Sequence, residues 1–408
     1  MKRIAQITNY PTRQPRHGGQ LRAHHTARVL ERAGYIVERV SVFSSGHYPP
    51  TLDEPTVDLV RVWENRRYPF VPQISDLTGS ELAATDARCF ASFAERLERI
   101  APHVIMVEEP WLWPAAERWR STLRRPPPIV FNAHNVESHS KAAILADLKI
   151  PNRDQIVGEV ESLEKRAARN ATGVSATTTE DVAILQKWTD AQVVVAGNGA
   201  TIRDVDSLYR ILPSPLTPVH RFLLFVGSAH PPNAAGFMDL ILPTLPLLRA
   251  NERIVVAGGV CDLLACGVNQ AGREGLVGDR LVCLGQIGKL ALDCLFANAR
   301  GILLPITYGG GSNLKTAEAL ISGLPIVGTS RAFRGFGDFA GSSDIIIAET
   351  PDEFGRGMRY ALGKTSARRP RKETKKLLWE ETLQPIVDLV RAIQDWEPRV
   401  GLQRETKV

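Results

Sequence analysis

The sequence predicts an α/β protein built from two doubly wound, Rossmann-like domains. Three observations carry that expectation. A chain of 408 residues is too long for one ordinary core. Short apolar runs alternate with helix-period segments along its whole length, as parallel sheets with crossover helices require. A proline-dense stretch without periodicity, ILPSPLTPVH at 211–220, interrupts that alternation near the middle and reads as a linker.

In the first series, Arg3–Thr8 reads as a strand. A polar loop then reaches Gly18-Gly19, and Leu21, Thr26, Val29 and Leu30 recur along a helix that Gly34 stops. Ile36–Val42 is the next strand, and Val104–Val107 and Ile129–Asn132 are short apolar runs ending in polar residues. Gln155–Ala171 is a charged amphipathic helix, and Val174–Thr177 and Gln192–Ala196 are the last strands of this half. The second series begins at Phe222 with FLLFVGS. It continues through Arg253–Gly259, Arg280–Gly285, Gly301–Ile306, Pro325–Thr329 and Asp344–Glu349. The chain closes on a helix, LLWEETLQPIVDLVRAIQDW, whose Trp379, Leu383, Ile386 and Val387 share a docking face. The expected divisions are 1–205, 206–375 and 376–408.

Composition narrows the class. A hydrophobic fraction of 44% with 23% charged residues is that of a soluble globular protein, and no apolar run reaches the length of a membrane span. The N-terminus, MKRIAQITNYPTR, does not read as a secretory signal. Five scattered cysteines read as free thiols in a reducing cytoplasm. Much of the net charge of +6 sits in Arg368, Arg369, Arg371, Lys372, Lys375 and Lys376. That run is a solvated helix end or, alternatively, a contact for an anionic membrane surface. Aromatic and basic residues do not interleave, so no nucleic-acid partner is expected.

The densest chemistry lies in LLPITYGGGSNLKTAEALISGLPIVGTSRAFRG, Leu303–Gly335: strand, triple-glycine loop, helix, strand. A glycine-rich loop opening a helix offers backbone N–H groups and the positive end of the helix dipole to an anion, most often a phosphate. Three successive glycines are entropically costly, which favours close ligand approach over a mere tight turn. Lys315 and Glu318 follow on one helix face and add a cation and a carboxylate. The plain alternatives are a solvated lysine and an exposed helix glutamate.

Other candidates are weaker. His134 ends an apolar run, where a histidine is often only hydrogen-bonded. Glu137 reads as a cap or salt-bridge partner for the next helix, and Glu108 and Glu109 as rim residues without chemistry or, alternatively, as receivers of a substrate hydroxyl. Arg22 is one turn into the helix after Gly18 and Gly19, within reach of a phosphate. His17, His24 and His25 match no ligand spacing. The D-x-D string Asp204-Val205-Asp206 reads as linker polarity and not as a metal site.

Taken together, Gly18-Gly19, FNAHNVES (Phe131–Ser138), AGNGA (Ala196–Ala200), FVGSAHPPN (Phe225–Asn233) and PITYGGGSNLKTAEALISGLPIV resemble a GT-B fold glycosyltransferase. More narrowly, they resemble the retaining, nucleotide-sugar-dependent family 4. The resemblance spans almost the whole chain, and Gly309–Val327 is its most specific part. It implies two domains facing a cleft, with the last helix crossing back to the N-terminal domain. It also implies a nucleotide-sugar donor, a saccharide or lipid-linked acceptor, and no metal or other cofactor. Residue by residue, it implies that Glu318 binds the ribose hydroxyls and Lys315 the diphosphate. Gly309, Gly310, Gly311, Ser312, Asn313 and Leu314 would lie under sugar and phosphates, with Gly227 and Ser228 beside the phosphates. Gly18 and Gly19 would approach the donor phosphate or the acceptor, and His134 the transferred sugar.

Two departures stand out. Many members carry a glutamate where this chain has Gly310, and an Arg and a Lys where it has SAHPPN, Ser228–Asn233. Lys315, aided by Arg331 or Arg334, would then neutralise the diphosphate. The resemblance points to surface-polysaccharide synthesis, with a peripheral place at the inner membrane face. A catalytically silent GT-B scaffold and a GT-B epimerase or phosphorylase are the alternatives.

Overall fold

The fold is that of a computed structural model, which describes residues 1–43, 48, 56–58, 67–68, 71–203, 208, 211–213, 215–216, 221–270, 278–364 and 374–395. Asp204 and Asp206 lie outside these residues, as do Arg368, Arg369, Arg371 and Lys372 of the basic run. The chain divides into two compact units. One comprises Met1–Lys141, Ile150–Ala196 and Leu383–Val408; the other comprises Ala142–Lys149 and Gly197–Thr382.

The N-terminal unit holds a seven-stranded parallel sheet. Its strands are β1 (Arg3–Thr8), β2 (Ile36–Phe43), β3 (Thr56–Asp58), β4 (Val104–Glu108), β5 (Ile129–Asn132), β6 (Gly173–Ala176) and β7 (Gln192–Val195). Their order is β3-β2-β1-β4-β5-β6-β7. β1 and β4 are buried almost throughout, which explains the apolar run Val104–Val107 of β4 and places the polar Gln6 and Thr8 of β1 inside the core. The core joins Ile7, Val42, Val107 and Phe131 to the Ala87–Ile100 and Trp113–Ser121 helices through Phe93 and Trp113. The expected Gly18-Gly19 loop is instead the first turn of a helix, Gly18–Arg32, with His17 at its N-cap.

The C-terminal unit holds a six-stranded parallel sheet of order β10-β9-β8-β11-β12-β13. Its strands are β8 (Arg221–Val226), β9 (Glu252–Ala257), β10 (Leu281–Cys283), β11 (Gly301–Leu304), β12 (Ile326–Gly328) and β13 (Ile345–Ile347). Two apolar clusters cover its faces. One is built around Phe222, Leu320 and Phe333, the other around Phe225, Phe237 and Phe354.

The closing segment is not one helix. It breaks into Thr374–Leu377, Trp379–Thr382 and Gln384–Ile393. Pro385 is the reason: it has no N–H to continue a preceding helix but fits the first turn of a new one. Ile386, Val387, Leu389 and Val390 are buried, and Gln384–Ile393 packs against β6, β7 and the Gly18–Arg32 helix. At Gly173 an added Cβ would lie 2.8 Å from Leu389 Cδ1. Among the described residues no helix is long and apolar enough to cross a membrane. Leu389→Ala should destabilise the N-terminal unit by about 2–5 kcal/mol, read as a lower urea midpoint in equilibrium unfolding.

Candidate active site

In an open parallel sheet, ligands bind at the carboxyl ends of the strands where the strand order reverses, because the loops there diverge to opposite faces. The reversals fall between β1 and β4 in one sheet and between β8 and β11 in the other. The candidate residues gather at these ends.

In the N-terminal unit, Gln6, Glu108, Asn132 and Ser175 come from β1, β4, β5 and β6 and form one buried network. Glu108 Oε1 accepts from Gln6 Nε2 at 2.6 Å, and Oε2 accepts from Asn132 Nδ2 and His134 Nε2, each at 2.7 Å. Asn132 Oδ1 accepts from Ser175 Oγ at 2.7 Å and Arg22 at 3.3 Å. The opposite ring nitrogen of His134, Nδ1, faces Glu109 Oε1 at 3.2 Å, and Tyr10 Oη is 3.4 Å away. Both ring nitrogens thus face carboxylate oxygens, which only accept, so the ring carries two protons. Burial alone would lower its pKa; the Glu109 charge and the hydrogen bonds to Glu108 and Glu109 outweigh burial and raise it to about 9.

Three expectations need correction here. Glu108 is not a rim residue but a fully buried one, and Glu109 stands beside it with φ 61° in the left-handed region. Glu137 does not cap its helix, Glu137–Asp147. Glu164 does, accepting from the amides of Glu137 at 2.5 Å and Ser138 at 2.8 Å. Burial raises the Glu137 carboxyl to about 8 and Glu164 to about 7. Arg22 is buried and turned into the network instead of toward solvent, and burial lowers its pKa to about 10. Gly18 and Gly19 lie at the surface end of their helix, with Gly19 backed by Tyr10.

In the C-terminal unit, Gly227 and Ser228 follow β8, and the triple glycine follows β11. Gly309 has φ 127° and Gly311 φ 68°, backbone conformations that other residues rarely adopt. Among the described residues the amides of Gly309, Gly310 and Gly311 have no hydrogen-bond acceptor within the protein. Asn313 occupies the N-cap position of the Leu314–Ser322 helix without a side-chain capping bond, and Lys315 and Glu318 project from the first two turns. The Lys315 ammonium donates to Asn233 Oδ1, and Asn233 Nδ2 donates to the Ser228 carbonyl at 2.9 Å. Lys315, Asn233 and Ser228 thus form one chain. Burial lowers the Lys315 pKa to about 8, against the pull of Glu318.

Two residues escaped the sequence reading. Asn198 of the AGNGA turn holds the loop, with Nδ2 donating to the Ser312 carbonyl at 2.7 Å. At the next position a Cβ on Gly199 would meet the Trp379 backbone at 2.8 Å, so only glycine fits. Arg203 Nη2 donates to Glu318 Oε1 at 2.6 Å, and Nη1 donates to Asp293. Burial raises the Glu318 carboxyl, and Arg203 opposes that rise. The asparagine was visible as part of a motif; nothing in the spacing of Arg203 tied it to Glu318. Among the described residues, no group of three or more His, Cys, Asp or Glu side chains could hold a metal ion.

Residues 17–199 match the glycosyl transferase 4-like domain, and residues 220–364 match glycosyl transferases group 1. A search of curated proteins gives no significant match. Among solved structures, the chain is similar to an α,α-trehalose-phosphate synthase (UDP-forming) from Burkholderia vietnamiensis. The TM-score is 0.67 at 14% identity, covering 97% of this chain and 99% of that one. It is also similar to sucrose-phosphate synthase from Thermosynechococcus elongatus, with TM-score 0.64, 13% identity, and 97% and 96% covered. A third is WaaG, a glycosyltransferase involved in lipopolysaccharide biosynthesis, with TM-score 0.58, 14% identity, and 94% and 95% covered. The fold and the matched domains define a glycosyltransferase of the GT-B class. Within that class the chain belongs to the group of the GT4-like type.

The His134 network has a pH signature. The folded pKa of about 9 exceeds the ordinary 6.5, so the folded state binds more protons. The stabilisation is complete below pH 6.5 and is lost as pH rises toward 9, a window that the raised Glu137 and Glu164 partly share. His134→Gln should flatten the wild-type decline in unfolding free energy between pH 6.5 and 9, measured by urea titration at each pH.

Proposed function

We propose that this glycosyltransferase is a retaining hexosyltransferase that moves a sugar from a nucleoside diphosphate donor to a saccharide or glycolipid acceptor. The observation that carries the reading is the loop of Gly309–Asn313. Its unpartnered glycine amides, followed at once by Lys315 and Glu318, match a diphosphate and a ribose in chemistry and order. As the anomeric bond breaks, its electron pair passes to the leaving phosphate oxygen. The amides and the Lys315 ammonium stabilise that charge. The acceptor oxygen attacks from the face the phosphate leaves, and its proton passes to a leaving phosphate oxygen, so no dedicated protein base is needed. Charge neutralisation by Lys315 makes a divalent ion dispensable in this reading, and turnover in the presence of EDTA checks it.

Two neighbours support the choice of substrates. One is a trehalose-6-phosphate protein from E. coli bound with UDP-2-fluoro glucose, and another was solved in complex with glucose-6-phosphate. WaaG supports a place in surface-polysaccharide synthesis. The basic run ending in exposed Lys375 and Lys376 supports a cytoplasmic enzyme held at the inner membrane face. Gly310, where many family members carry a glutamate, favours a second reading, a catalytically silent nucleotide-binding protein. Hydrolysis or transfer from any member of a nucleotide-sugar panel decides for the enzyme.

Glu318→Ala should weaken nucleoside diphosphate binding by roughly 10–100-fold in calorimetry, the worth of one or two hydrogen bonds to a charged group, with the fold retained by far-UV circular dichroism. Unchanged affinity would sink the assignment. Lys315 is cationic below about pH 8 and neutral above it, and a diphosphate favours the cation. Wild-type affinity should therefore fall as pH rises from 7.5 to 9, and Lys315→Met should bind weakly at every pH without that slope.

A further inference from the structure

We propose that Arg203 is a positioning residue of the donor site, fixing the Glu318 carboxylate in the orientation that receives the ribose hydroxyls of a nucleoside diphosphate sugar. The inference rests on the reading of Glu318 given above.

Arg203 lies on the Gly197–Arg203 segment, whose Asn198 is already tied to the triple-glycine loop through Ser312. Its guanidinium is itself held on three sides. Nη1 donates to Asp293, Nη2 donates to Glu318 Oε1 at 2.6 Å, and the Phe296 ring lies 4.4 Å below the guanidinium carbon. Asp293 is fixed in turn by Lys289, whose ammonium donates to Oδ2 at 2.5 Å. Asp293 and Phe296 share the Lys289–Asn298 helix, so the guanidinium is referenced to a rigid element. Side-chain exposure rises along this chain, from 8% at Asp293 through 12% at Arg203 to 26% at Glu318. Of Asp293, Arg203 and Glu318, Glu318 is the most exposed, while Lys289 at the far end of the relay is itself a surface residue.

The consequence is geometric. A glutamate on a helix surface ordinarily samples several rotamers. Here one carboxylate oxygen, Oε1, is taken by Arg203, which fixes where the other, Oε2, stands. A ribose therefore meets a preset acceptor and does not have to order a mobile one. A purely structural ion pair would also join the two helices, but it would not distinguish ligands by their ribose hydroxyls.

That difference is the test. Full-length protein is titrated calorimetrically with UDP, ADP and GDP and with their 2′,3′-dideoxy forms. Wild type is compared with Arg203→Gln, Arg203→Lys, Glu318→Gln and the double variant Arg203→Gln/Glu318→Gln. Arg203→Gln should weaken the best-bound ribonucleotide about tenfold, on the scale of the rotamer freedom restored to one glutamate. Arg203→Lys should recover part of that loss. Neither should alter dideoxynucleotide binding, and Arg203→Gln should add nothing in the Glu318→Gln background. Equal weakening of ribo- and dideoxynucleotides would make Arg203 structural and overturn the proposal. So would unchanged ribonucleotide binding in Arg203→Gln while Glu318→Gln weakens it, which leaves the donor reading standing. If Glu318→Gln itself has no effect, the donor reading fails and takes the proposal with it. Should Arg203→Gln not fold, Asp293→Asn loosens the same guanidinium. It should cost ribonucleotide affinity alone, and no effect there overturns the proposal.

Discussion

The reversal of strand order between β8 and β11 is the constraint on which the candidate site of the C-terminal unit depends. It sends the chain after β8 toward one face of the sheet and the chain after β11 toward the other, and so opens a space above their carboxyl ends. Everything assigned to the donor fills or fastens that space. Asn233 holds Lys315 against the Ser228 side, and Asn198 holds Ser312. The loop can therefore afford positive φ at Gly309 and Gly311 without collapsing, since its far end is pinned by hydrogen bonds from a separate stretch of chain. Order in this loop is imposed from outside it.

The N-terminal unit follows a different rule. A carboxylate taken out of water needs compensation, and Glu108 obtains it from three donors, one of them the His134 imidazolium. Burial and the second carboxylate, Glu109, act on that ring in opposite directions, and the carboxylates win. A histidine so held is not free to exchange protons near neutral pH. It stands as a fixed cation and not as a base. Contact with a sugar would be made by exchanging the Tyr10 or Glu109 partner at Nδ1, since Nε2 is committed to the buried side.

Local signals made much of this legible. The apolar runs marked the strands because parallel strands buried on both faces have no room for alternation, and the glycine-rich loop carried its own anion-binding logic. What stayed hidden was long-range. Arg203 and Glu318 are 115 positions apart, and Gln6 and Glu108 are 102. No periodicity links such pairs; only the sheet order brings them together. The same blindness explains the misreading of Glu108 as a rim residue. A charged pair at a strand end looks solvent-facing until the partners that bury it are known. The short strand Thr56–Asp58 was passed over for a related reason, because a single edge strand of three residues carries too little pattern to be separated from its flanks.

The glycine at 310 can be weighed by counting charge. Within the linked set of Arg203, Lys289, Asp293, Lys315 and Glu318, three cations face two anions, leaving one positive charge. A glutamate at 310, as in many family members, would bring that sum to zero. This chain has no cation in Ser228–Asn233 to offset such a loss. Under the proposed donor reading, an added carboxylate would oppose the charge of Lys315, whereas glycine leaves an amide free to donate. Under the same reading the two departures act in one direction: with no Arg or Lys in Ser228–Asn233, a carboxylate at 310 would meet little opposing charge, and a backbone amide is a neutral group suited to an anion there.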